Sequence, residues 1–124
     1  MDTPEQILEK IQKLIHENSH YQFEAYNFVL SALHHTMMGM NPPRHITGQE
    51  FCEGVRRYAI DQFGPMAHTV LEHWGIKETL DFGKIVFALI DIGLMRKTEE
   101  DSLEDFRAVY DFKTAFDRKT IFDS

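Results

Sequence analysis

The sequence predicts a mainly α-helical single domain, a bundle of about five helices with a small β-hairpin near the C-terminus. Three observations carry this expectation. Apolar residues recur at three- and four-residue spacing through most of the chain. Capping residues precede these runs, and Gly or Pro follows them. A chain of 124 residues with 43% apolar content and ten Phe has the size and material for one core.

The first helix is expected within residues 1–18. Thr3-Pro4-Glu5-Gln6 supplies an N-cap, a Pro at the first helical position and a Gln able to reach back. Ile7, Leu8, Ile11, Leu14 and Ile15 then form an apolar stripe. A second helix should begin near Ser19 or His20 and run to Met38. Its inward face is read as Tyr26, Val29, Leu30, Leu33 and Met37, widened by Phe23 and Phe28. Gly39 and then Asn41-Pro42-Pro43 end it. Thr47-Gly48-Gln49-Glu50 opens a third helix with a capping box, and Phe51, Cys52, Val55, Tyr58 and Ala59 make its stripe.

Gly64-Pro65 stops that helix and starts a short fourth one to His73, with Met66, Val70, Leu71 and Trp74 inward. Gly75 ends it in the left-handed conformation, so that Ile76 folds back. The fifth helix has Thr79 as its expected N-cap and Asp81 in its first turn. Phe82, Ile85, Val86, Leu89 and Ile90 follow at helical spacing, and Gly93 closes it. Leu94 to Lys97 reads as a strand. The alternation of Phe106, Ala108, Tyr110 and Phe112 reads as its partner. A short helix near Lys113 to Phe116 and a frayed tail over 118–124 complete the chain. The aromatics of this last part are read as closing the core, because a small domain needs their area.

Residues 64–112 have the run of a winged helix-turn-helix: short helix, turn, apolar helix, strand, polar wing, strand. That outline does not by itself imply DNA binding. The net charge is −7, which repels phosphate backbones and anionic lipids. The polar positions of the fifth helix are Asp81, Lys84 and Asp91, and two of these three would repel a duplex. Nucleic acid is therefore not the expected partner.

Asp81-Phe82-Gly83 matches the magnesium-binding DFG of protein kinases in letters alone. A kinase needs a Gly-rich loop, a catalytic Asp and Asn, and a far larger body. Asp81 is better explained as an acid at a helix N-terminus. Seven histidines are present, but there is no HExxH and no Cys/His zinc spacing, so no metal ligand is assigned. Cys52 lies on an apolar stripe and reads as an inert buried thiol. No catalytic or cofactor-binding residue is assigned, and no cofactor is implied.

A lone cysteine, an N-terminus without a signal-peptide pattern and the lack of an apolar run of ~20 residues together point to a cytoplasmic protein without a membrane partner. The favoured function is a non-enzymatic, acidic protein-interaction or regulatory module, self-association included. The candidate partner contacts are Arg56, Arg57, Lys84, Arg96 and Lys97. The alternatives are a nucleic-acid-associated regulator using the helix-turn-helix-like half, and a metal protein or enzyme using the histidines.

The stretches "YAIDQFG", "WGIKETLDFG" and "KTEEDSLEDF", with the earlier "YQFEAYNFVLSAL", resemble a small bacterial family largely restricted to Planctomycetes and Verrucomicrobia. The resemblance runs from Tyr21 to about Phe116. It implies a bacterial cytoplasmic protein. The family has no assigned activity, cofactor or catalytic residue, so none carries over to this chain.

Overall fold

A computed structural model of the chain describes residues 3–17, 20–39, 46–93 and 102–117. Helices dominate: α1 (Pro4–Glu17), α2 (Phe23–Met38), α3 (Gly48–Phe63), α4 (Ala67–His73), α5 (Thr79–Asp91) and the single turn α6 (Phe112–Ala115). Two 3-10 turns, Gly64–Met66 and Leu103–Phe106, complete the regular structure.

The expected caps form. Thr3 Oγ1 accepts from the Gln6 N–H at 3.2 Å, and Gln6 Oε1 accepts from the Thr3 N–H at 2.8 Å. Thr47 and Glu50 make the same reciprocal pair, both bonds at 3.1 Å. Gly75 has φ +94°, and the Ile76 N–H then turns back to the Leu71 carbonyl at 2.9 Å. Ile76 is thereby fully buried.

The core centres on α5. Phe82, Ile85 and Leu89 are sealed from solvent, and α2, α3 and the C-terminal segment pack around them. On α2 the sealed seam is Ala25, Val29 and Ala32, and α2 packs closely on α3. At that approach a Cβ on Gly54 would run into the Thr36 side chain, which would have to shift. An aromatic cluster of Phe28, Tyr58, Phe63 and Trp74 fills the far end. α1 lies on α2 and buries Ile11 fully, with Ile7, Leu14 and Ile15 half-covered.

Several expectations are corrected. α2 starts at Phe23, not near Ser19 or His20, because the Gln22 N–H is bonded to the Trp74 carbonyl and the chain is extended there. Met37 and Met66 are exposed rather than inward. Met37 lies on the last turn of α2, past the buried seam that ends at Ala32, and Met66 lies in a 3-10 turn whose residues are not buried. The N-cap of α5 is Glu78 and not Thr79, whose hydroxyl is used elsewhere.

The β-hairpin does not form among the described residues. Its first strand, Leu94 to Lys97, lies outside them, as does the tail 118–124. The second strand is replaced by the 3-10 turn, an extended stretch and α6. The Thr79 hydroxyl donates to the Phe106 carbonyl at 2.6 Å and accepts from the Val109 N–H at 3.1 Å. Ala108 between them has φ +48°, which breaks the extended run. The alternating aromatics are core, as expected: Phe106, Phe112 and Phe116 are buried.

This segment sits in slots made by two helical glycines. A Cβ on Gly83 would lie 2.6 Å from Phe106 Cγ, and one on Gly48 would lie 2.8 Å from Asp105 Cβ. Gly83→Ala raises helix propensity by ~1 kcal/mol yet forces Phe106 aside, and is expected to destabilise by about 1–3 kcal/mol. In a Phe106→Ala background the same change should turn neutral or stabilising. Urea denaturation of the four-member cycle measures that reversal.

Candidate functional site

Two places gather polar or chemically distinctive side chains. The first is the start of α5. Asp81 is buried, yet both carboxylate oxygens have donors. Oδ1 accepts from the Tyr21 hydroxyl at 2.5 Å, and Oδ2 accepts from the backbone N–H groups of Lys77 at 2.8 Å and Glu78 at 3.1 Å. The carboxylate therefore binds the turn that precedes its own helix and the residue that leads into α2. Its remaining neighbour in the motif, Phe82, packs against Phe112 at a centroid distance of 5.5 Å. No side chain of the DFG triplet faces solvent, so the triplet has no open site for a metal or nucleotide.

The second place is an open groove of about 590 Å³ between α2 and α3, lined by Leu30, Ser31, His34, His35, Met38 and Tyr58. Its lining is mainly apolar. The Tyr58 ring packs on Phe28 at 5.4 Å and on His35 at 5.0 Å, which fixes one wall. Met38 is 73% exposed, a high value for a large apolar side chain.

The sequence-predicted contact residues are only partly gathered. Arg56 and Arg57 are adjacent on α3 and share one acid: Glu53 accepts from Arg56 at 3.0 Å and from Arg57 at 3.5 Å. Arg56 is largely covered and Arg57 is open. Lys84 is exposed on α5 and has no ion pair among the described residues. Arg96 and Lys97 lie outside the described residues. Sequence reasoning passed over the groove, although five of its six residues lie on α2 and only Tyr58 comes from α3. The signal available was "HHTMM", which places His34, Met37 and Met38 one turn apart.

Cys52 is fully buried, and burial pushes its thiol up to about 12. Its carbonyl accepts from the Tyr110 hydroxyl at 2.6 Å. Burial likewise raises Tyr110, and burial followed by the Asp81 hydrogen bond raises Tyr21. Among the described residues, no three His, Cys, Asp or Glu side chains gather to hold a metal ion. No described helix is long and apolar enough to cross a membrane. Comparison with protein-family models, curated proteins and solved structures finds no match.

The raised groups set an alkaline limit. Their protonated forms are favoured in the folded state, so the unfolded chain releases its protons first as pH rises. Stability should be intact below the ordinary value of the thiol, begin to fall near pH 9 and fall faster above pH 10. Tyr21→Phe removes one titrating group and leaves Asp81 Oδ1 without a donor. It should cost about 1–3 kcal/mol at neutral pH and make the alkaline decline shallower. Urea midpoints between pH 7 and pH 11 measure both.

Proposed function

We propose that the protein is a non-enzymatic, acidic interaction or regulatory module that binds another protein, a second copy included. The observation that carries this reading is the α2–α3 groove with Met38 on its rim. Exposed apolar surface bordered by polar side chains marks association sites, and methionine adapts to a partner's shape better than a branched residue does. Arg57, directly before Tyr58 on α3, offers a charge for such a partner. The helix-turn-helix reading draws less support, because α5 is the most buried helix and exposes only Lys84 and Asp91. A duplex would have little to grip there. A cytoplasmic location and membership of the bacterial family are part of the same proposal, and the family brings no activity with it.

A photo-crosslinking amino acid at position 38, compared with one at position 66, tests this in living bacteria. Both methionines are exposed, but only Met38 lies in the groove. Position 38 is expected to give one discrete adduct, of twice the chain's mass if the partner is a second copy. Adducts at neither position, or the same set at both, would count against the proposal.

A further inference from the structure

The groove also carries donor atoms that an apolar docking surface does not need. His34, His35 and Met38 all line it. At 3.6 residues per turn, Met38 sits about 40° around the helix from His34 and about 60° from His35, one turn further along. The thioether thus falls between the two imidazoles. Side chains at these i,i+4 and i,i+3 spacings have Cβ atoms about 5–6 Å apart, so each imidazole is a neighbour of the thioether, although His34 and His35 do not face each other directly. The tilted packing of Tyr58 on His35, with ring centroids 5.0 Å apart, restrains one of the imidazoles.

We propose that this end of α2 binds Cu(I), with two imidazole nitrogens and one thioether sulfur as ligands. The donor set decides the ion. Thioether sulfur is a soft ligand that suits Cu(I), and imidazole suits it as well. Zinc is held by thiolate, imidazole and carboxylate, and in its sites three or four such ligands converge. The described residues offer no third His, Cys, Asp or Glu beside this pair. Only the sulfur completes the set, and sulfur selects the softer ion. The site needs no partner protein and so does not rest on the interaction reading above. Ser31 and Leu30 line the adjoining groove and supply no soft donor.

The test uses the intact chain and the metal alone. Ag(I) serves as a redox-inert analogue, followed by NMR of chain labelled with ¹³C at the methionine methyl groups. Cu(I) affinity is measured anaerobically against a chromophoric chelator. One equivalent of Ag(I) is expected to shift the Met38 methyl resonance and leave that of Met66 in place. Loss of even an outer-shell partner weakens metal sites about tenfold or more. Met38→Leu and His34→Ala should therefore each weaken Cu(I) binding by at least roughly tenfold, while Met66→Leu leaves it unchanged. Both changed side chains are exposed, so the variants keep the fold. An unmoved Met38 resonance would overturn the assignment. So would equal weakening by Met66→Leu, or Zn(II) binding as tightly as Cu(I).

Discussion

A buried carboxylate at the start of α5 is the constraint around which the rest is arranged. An ionised Asp removed from water is tolerated only when donors replace its hydration. Asp81 receives three such donors, two from the backbone turn and one from Tyr21. Those bonds fix the α4–α5 turn, aim α5 through the core and tie it to the chain entering α2. The N-terminal end of α5 adds its positive dipole to the same charge.

With α5 fixed along its length, the C-terminal segment has one place to go. Gly83 and Gly48 leave room for the Leu103–Phe106 turn, and the Thr79 hydroxyl donates to the Phe106 carbonyl of that turn and accepts from the Val109 N–H beyond it. Tyr110 then reaches the Cys52 carbonyl on α3, and Phe112 and Phe116 close the core. The consequence for function is that the triplet Asp81-Phe82-Gly83 works as architecture. Asp81 organises the turn, Phe82 packs, and Gly83 admits Phe106. The helix that a helix-turn-helix would present to DNA is the one this protein hides.

What could be read from the sequence was local. The capping boxes at Thr3 and Thr47, the glycine turn at Gly75 and the apolar stripes of α3 and α5 follow from neighbouring residues. Features that depend on distant pairs were not legible. Tyr21 and Asp81 are 60 residues apart, and Thr79 meets Phe106 across 27. The Phe106–Phe112 alternation looked like a strand because period two is a local signal. It could not show that Thr79 would capture the backbone there. Met37 and Met66 were misplaced because periodicity assigns a face but not whether anything covers it. The groove was not legible because the α2 face that lines it is exposed only where α3 and the core leave it uncovered, and because metal-ligand spacing in His and Cys takes no account of thioethers.

The surface chemistry is thus separate from the interior chemistry: a buried polar junction makes the fold, and an exposed Met/His groove is what the fold offers outward. The central claim is that Asp81 is structural. The most direct measurement is the urea-unfolding free energy of Asp81→Asn at pH 7, with Asp91→Asn at the exposed end of the same helix as reference. Asp81→Asn places an amide where one of the donors now bonds and removes the charge that those donors serve. The account predicts a loss of about 2–4 kcal/mol for Asp81→Asn and a change within about 0.5 kcal/mol for Asp91→Asn. Equal and small effects at both positions would contradict it.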